Sequence, residues 1–249
     1  MNPFLFVTDL DNTYVGDATT LETLQHQLSQ HRQHYGSKIV YATGRSPTLY
    51  RQLKAEQQLL TPDALVCSVG TEIYFDDLSE QTDTQWAQLL TPGWDRQLIV
   101  TTAQAFPELT LQPESEQRPF KVSFFLQHPQ AETLLTRLTS SLDAQHIDAK
   151  IIFSGGKDID IVPAQGNKGQ AMHFLQQHWQ IAAADTVACG DSGNDIALFT
   201  IPETYGIIVG NARDELLHWH QQHPSNKRYL AQAPYAAGIL EGLTHLGFL

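Results

Sequence analysis

The chain has 249 residues, a formal net charge of −12 and 41% apolar residues. That length holds one large domain or one core carrying an insertion, and the composition is that of a folded globular protein. No apolar stretch reaches the roughly 18 residues that a membrane span needs, and the acidic charge denies nucleic acid the basic footprint its phosphates require.

Met1–Val7 lacks a basic head and runs into Asp9 too early for a signal peptide, so a cytoplasmic protein is expected. Cys67 and Cys189 end apolar runs and read as small buried residues, with no disulfide framework or zinc spacing. An acidic chain can still take a small anion, given a bound cation and locally placed Lys, Arg and backbone N–H groups.

In chain order, Phe4–Thr8 is an apolar strand, and Ala18–His34 carries the helical spacing of Leu21, Leu24 and Leu28. Lys38–Ala42 is a second strand, running into Thr43-Gly44-Arg45; Ser46 as N-cap and Pro47 at the first helical position open a helix over about 47–60. Ala64–Ser68 is a third apolar run, and Gly70–Tyr74 alternates like a hairpin strand. This rhythm predicts an α/β protein, a Rossmann-like parallel sheet with helices on both faces.

From about 80 to 160 the character changes. Gln85–Leu90 and Gln97–Phe106 read as helices, Phe120–Leu126 as a strand, and Ala131–Gln145 as a helix on Leu134, Leu135, Leu138 and Leu142. Lys150–Phe153 and Ile159–Val162 flank a glycine turn, while Leu111–Pro119 reads as an exposed loop. Two strand pairs with two helices predict a small α+β domain. After Pro163 the first rhythm returns: a helix from Gly166-Asn167-Lys168-Gly169 to Trp179, strand Thr186–Cys189, short helix Ile196–Phe199, strand Gly206–Val209 and helix Asp214–His220. The expected organisation is a discontinuous core, residues 1–80 and 161–249, interrupted by an inserted domain over 81–160.

Asp9 and Asp11 stand where a buried strand ends, the place where open α/β sheets hold their ligands. Two apart in extended chain, they face the same way, and close like charges repel unless a cation lies between them. Magnesium suits such a site, since it takes oxygen ligands and binds through one or two carboxylates plus phosphate. Asp191 follows another strand, with Asp195 four residues on. Taken alone, the first pair also fits solvated turn aspartates. Lys168 in the first turn of a helix opposes the helix dipole, a balance that a bound phosphate reverses. Thr43-Gly44-Arg45 offers a hydroxyl, a flexible residue and free N–H groups to an anion, and equally fits a plain strand–helix turn. His26, His31 and His34, like His218, His220 and His223, show no ligand spacing and read as structural or surface residues.

The ordered set Asp9/Asp11, Thr43, Lys168 and Asp191/Asp195 resembles the four motifs of the haloacid dehalogenase superfamily of phosphotransferases. The likeness implies that Asp9 attacks phosphorus to form an aspartyl phosphate and that Asp11 protonates the leaving alcohol and later activates water. It implies that Thr43 and Lys168 hold the phosphoryl oxygens. Magnesium would be held by Asp9, Asp191 and the carbonyl of Asp11, with Asp195 orienting that shell. The insertion resembles the cap that closes over substrate in these enzymes.

Asp9–Gly16, Tyr41–Ser46, Phe153–Asp160, Gly190–Asp195 and Ala237–Glu241 further resemble the cyanobacterial sucrose-phosphate phosphatases over nearly the whole chain, with Tyr14 standing where that family carries Trp. This implies hydrolysis of sucrose 6-phosphate, the last step of sucrose synthesis. The sugar-binding set is then Lys121, Ser154, Lys157 and Asp160, residues that equally fit an ordinary hairpin with solvated charges. Gly44, Arg45 and Asn194 complete the expected substrate contacts; Ser192 and Asn194 serve equally to satisfy their own loop. A phosphatase for another sugar phosphate, such as glucosylglycerol phosphate, mannosylglycerate phosphate or a hexose phosphate, is the first alternative. A non-catalytic sugar-phosphate-binding partner of a sucrose-phosphate synthase is the second. A monomer is expected, with docking to such a synthase compatible with catalysis.

Overall fold

The strand Leu5–Thr8 (β1) is buried along its whole length, which explains its unbroken apolar run: a central parallel strand is covered on both faces. Its neighbours are Lys38–Ala42 (β2) on one side and Thr186–Gly190 (β9) on the other, both parallel, with Thr8 opposite Tyr41 and Cys189. The structure, a computed structural model, describes residues 2–75, 81–126 and 131–249. The expected boundary at residue 80 falls outside the described residues.

The large sheet is completed by Ala64–Cys67 (β3), Glu72–Tyr74 (β4), Tyr205–Ile208 (β10) and Arg228–Leu230 (β11), in the order β11-β10-β9-β1-β2-β3-β4. Every pairing is parallel except β3 with β4. Alternation sends Leu5 and Val7 to one face and Phe6 to the other. The helices Ala18–Tyr35 (α1) and Tyr235–Leu246 (α8) cover the Phe6 face with Leu21, Leu24, Leu28, Ile239 and Leu243. Lys168–Trp179 (α6) covers the other face with Ala171, Met172 and Leu175. Pro47–Gln57 (α2) starts at Ser46 as expected, its hydroxyl accepting from the Leu49 N–H.

A second, four-stranded sheet is formed by Leu109–Leu111 (β5), Val122–Leu126 (β6), Ala149–Ser154 (β7) and Asp158–Pro163 (β8), ordered β5-β6-β8-β7 and antiparallel throughout. Arg96–Ala103 (α4) and Ala131–Ala144 (α5) pack Ile99, Leu134, Leu138 and Leu142 against Val122, Phe124, Ile159 and Ile161 on one face. The alternate residues Ser123, Asp158 and Asp160 therefore point the other way, with Ser123 opposite Asp160. Thr84–Leu90 (α3) precedes this unit, and Asp214–Gln222 (α7) lies late in the chain.

Two expectations are refined. Leu111–Pro119 is largely exposed, as expected, but it is not featureless: it begins with the end of β5, continues through a 3₁₀ turn at Glu114–Glu116, and buries Gln117, whose amide donates to the carbonyls of Gln112 and Ser123. Gly193–Thr200 is a 3₁₀ stretch rather than a short helix at 196–199; Ser192 and Asp195 form a capping box at its start.

Candidate active site

Because β1 and β9 are adjacent and in register, the residues just past their carboxyl ends meet. Asp9, Asp191 and Asp195 each bring one carboxylate oxygen within 4.8 Å of the others, and all three are buried. Lys168 reaches into this group from α6. Its ammonium donates to Asp9 Oδ1 and Asp195 Oδ1, both at 2.7 Å, and to Asn194 Oδ1 at 3.0 Å. Asn167 fixes where α6 begins, accepting from the Gln170 N–H at 3.0 Å. Asp195 Oδ2 accepts from the backbone N–H groups of Asp191 and Ser192, both at 3.0 Å, which ties the turn to the lysine. Thr13 donates to Asp191 Oδ1 at 3.1 Å, and the Arg213 guanidinium lies 4.0 Å from Asp191 Oδ2.

The electrostatics follow from burial. Asp9 is pushed well above the ordinary carboxylate range by desolvation, against which the Lys168 charge works, while Asp195 and Asp191 add repulsion. Asp191 is raised to about 7, first by burial and then by the charge of Asp195. Burial opposes the charge on Lys168 as well, but Asp195 and Asp9 outweigh it and hold the ammonium protonated more firmly than a free lysine. Three carboxylates against one ammonium leave a buried surplus of negative charge. That surplus, made wholly of oxygen donors, is the donor set that a hard divalent cation takes. The residues present therefore fit a metal.

Asp11 faces the same space and receives a two-pronged contact from Arg45, Nε at 2.8 Å and the terminal nitrogen at 2.6 Å. Thr43 is fully buried; its hydroxyl accepts from the Arg45 N–H at 3.1 Å and stiffens the turn between β2 and α2. A cavity of about 500 Å³ opens between the two sheets. Asp9, Asp11, Gly44, Arg45, Asp191 and Asn194 line its floor, and Lys121, Ser154, Asp158 and Asp160 its roof. Lys121 and Asp160 are paired at 3.3 Å, and Ser123 donates to the same carboxylate at 2.6 Å.

Of the sequence-predicted residues, Asp9, Asp191, Asp195 and Lys168 thus form one buried cluster, with Asn194 bonded to Lys168. Asp11, Gly44, Arg45, Asn194, Lys121, Ser154 and Asp160 reach the cavity, whereas Thr43 and Lys168 lie behind its wall. Lys157 is exposed and is not among the lining residues. No histidine among the described residues lines the cavity. The sequence reading passed over Gln112, Glu116 and Arg213, all of which line it. Arg213 lies in the connection that leads from the carboxyl end of β10 to α7, so the strand-end rule points to its loop. Glu116 accepts from Ser46 at 2.8 Å across the two sheets, and nothing in its loop sequence signals that contact.

A seven-stranded sheet with this buried acidic cluster at its strand ends, and a second α+β unit roofing it, defines a protein of the haloacid dehalogenase superfamily. A haloacid dehalogenase-like hydrolase from Bacillus subtilis shares the fold at a TM-score of 0.69 and 19% identity, covering 100% of this chain and 93% of that one. The family model for sucrose-6F-phosphate phosphohydrolase matches residues 2–247, and the chain belongs to that family. The crystal structure of the sucrose-phosphatase from Synechocystis, in complex with sucrose and phosphate, superposes with a TM-score of 0.92 at 40% identity over 99% of both chains. Sucrose-phosphatase 2 of Nicotiana tabacum is 42% identical over 97% of this chain, which spans 58% of that protein's length. Mannosylfructose-phosphate phosphatase of Agrobacterium fabrum is 33% identical, over 98% of this chain and 96% of its own. Among the described residues no helix is long and apolar enough to cross a membrane.

Proposed function

We propose that the chain is a magnesium-dependent phosphatase that hydrolyses sucrose 6-phosphate to sucrose and phosphate. The observation that carries this reading is the buried cluster of Asp9, Asp191, Asp195 and Lys168 beneath a cavity of about 500 Å³, a volume in the range of small-molecule sites. Residues 1–80 and 161–249 act as the catalytic core, and 81–160 as the cap that supplies the sugar contacts.

Magnesium, held by Asp9, Asp191 and the Asp11 carbonyl with Asp195 behind them, would offset the charge of phosphate against carboxylate. Lys168 occupies Asp9 Oδ1 and so leaves the other oxygen for the cavity. That oxygen attacks phosphorus and forms an acyl phosphate as the sugar–oxygen bond to phosphorus breaks. Asp11 first leaves the two-pronged Arg45 contact that here engages both of its oxygens as a carboxylate, takes up a proton, and gives that proton to the departing sugar alkoxide. It then takes a proton from water, which attacks phosphorus and frees Asp9 and inorganic phosphate. Gly44, Arg45 and Asn194 border the phosphate, with Thr43 and Lys168 bracing them from behind. Lys121, Ser154 and Asp160 face the sugar hydroxyls, which need several hydrogen bonds to repay their lost water. Lys157, exposed beside the turn, would reach the sugar only at the cavity rim. We infer a cytoplasmic monomer, one that can dock to a synthase while it works as a phosphatase.

A panel of phosphorylated sugars tests the substrate. The fastest phosphate release is expected from sucrose 6-phosphate, followed by mannosylfructose phosphate. A strong preference for a monosaccharide phosphate would overturn the assignment.

The pH dependence of metal binding follows from Asp191. Holding a cation requires its carboxylate, whereas in the metal-free protein the group keeps its proton up to about pH 7. Magnesium affinity should therefore weaken on acidification below pH 7, by about tenfold per pH unit from Asp191 alone, with the raised Asp9 steepening the fall. Calorimetric titration between pH 5.5 and 8.5 measures this, and a flat profile would contradict the assignment.

A further inference from the structure

Glu72 lies apart from the acidic cluster, on β4, and is 3% exposed. Its carboxylate is fully engaged. Oε1 accepts from Arg118 Nε at 2.7 Å, and Oε2 accepts from Tyr74 OH at 3.1 Å and Ser68 Oγ at 3.4 Å. Arg118 belongs to the connection between β5 and β6, so this ion pair joins the two sheets away from the cavity. A buried carboxylate paired in this way holds its partners in place, because losing Arg118 leaves its charge uncompensated and losing a hydroxyl leaves one of its oxygens short of a hydrogen bond.

What it holds on each side is specific. Ser68, Val69 and Gly70 are three successive residues with positive φ, at 55°, 64° and 106°. For Ser, and above all for β-branched Val, that conformation is strained and persists only where the surroundings impose it. The strained run supports the phosphate side of the site. Ser68 N–H donates to the Arg45 carbonyl at 2.9 Å, and Val69 N–H donates to the Thr43 carbonyl at 3.1 Å. Gly70 lies directly against the start of α6, where a Cβ would stand 2.5 Å from the Lys168 backbone nitrogen. On the other side, Arg118 and Lys121 close a tight turn through backbone bonds of 3.0 and 3.2 Å, and Lys121 reaches Asp160 in the roof of the cavity. A continuous path thus runs from Lys121 and Asp160 through Arg118 and Glu72 to the backbone carrying Thr43, Arg45 and Lys168.

We propose that Glu72 and Arg118 are positioning residues that couple the sugar-facing turn at Lys121 to the phosphate-facing turn at Thr43–Arg45, so that occupation of the sugar side sets the geometry of phosphoryl transfer. This rests on the phosphatase reading above. Neither residue lines the cavity, so neither touches substrate. The pair acts on how sugar-binding energy is used, and loss of such a link lowers turnover more than binding.

The test is steady-state kinetics of Arg118→Gln and of the double variant Glu72→Gln with Arg118→Gln. The double variant replaces the ion pair with two amides of similar size, and so covers the case in which the single variant fails to fold. Each is assayed with sucrose 6-phosphate and with p-nitrophenyl phosphate, which carries no sugar. The expected result is a loss of kcat on the sugar phosphate of about tenfold or more, with KM within about threefold and a clearly smaller loss of turnover on p-nitrophenyl phosphate. The double variant should lose no more than the single, and Arg118→Lys should recover part of the loss. Equal losses on both substrates, a change confined to KM, or no change would overturn the coupling. If the unaltered protein ignores sucrose 6-phosphate, the substrate reading alone falls, and the same comparison is made on the sugar phosphate it turns over fastest.

Discussion

Asp9→Asn should abolish phosphate release, lowering kcat by about 10⁴-fold or more, the scale on which loss of a covalent nucleophile is felt. The amide keeps an oxygen that can accept the Lys168 hydrogen bond now made to Asp9 Oδ1, so the cluster retains its internal contact. It cannot supply the anionic oxygen that the proposed mechanism needs for attack on phosphorus. The substitution also removes one of three crowded buried carboxylates, whose ionisation is already disfavoured by desolvation and by Asp195 and Asp191. The metal-free variant should therefore unfold no earlier than the unaltered protein. Kinetics beside a thermal melt separate the two effects, and near-normal hydrolysis by the folded variant would remove Asp9 as the nucleophile.

Lys168→Met should be as damaging to the fold as Asp9→Asn is to the chemistry. Lys168 is wholly buried and holds Asp9 and Asp195 apart at 2.7 Å each. Without the ammonium the two carboxylates face one another in a desolvated site, and breaking a buried pair in this way costs about 3–5 kcal/mol. The raised pKa of Lys168 means that its stabilising charge is fully present at neutral and acidic pH and is lost only far into the alkaline range. Asp9 behaves oppositely: its raised pKa means that its buried charge costs stability above the ordinary carboxylate range, and acidification removes that cost. The deficit of the methionine variant should thus be largest near pH 8 and shrink towards pH 5.5. Urea unfolding at both values measures it. A loss below about 1 kcal/mol at both would show that the lysine is not the counter-ion of the cluster.

The core of this site was legible because strand ends in a parallel sheet are marked twice in the chain. Leu5–Thr8 and Thr186–Gly190 are unbroken apolar runs, and each is followed at once by an acidic residue. Adjacency of those strands then does the rest, bringing together residues more than 180 positions apart. Lys168 was legible for a different reason, a cation placed against the helix dipole.

The roof was harder to read. Beside Ser154, Asp158 and Asp160 of the hairpin, it draws on Gln112 to Lys121, a stretch whose prolines and charges show neither helical nor strand period, and whose order comes from cross-sheet contacts such as Ser46 with Glu116 and Glu72 with Arg118. Such contacts have no local signature. Two elements of the large sheet and its cover also escaped. β11 has three residues, too few for a pattern. α8 contains Gly242, whose missing side chain lets the helix approach to where a Cβ would lie 2.7 Å from Ile207. Glycine there lowers the local helix signal for the sake of packing.

The central claim is that the buried aspartates serve a divalent cation in the hydrolysis of a sugar phosphate. Phosphate release from sucrose 6-phosphate, followed in EDTA and then after excess magnesium is restored, tests it most directly. No measurable release is expected in EDTA, with full recovery once magnesium is restored. Turnover that is indifferent to the chelator, or no release under either condition, would contradict that claim.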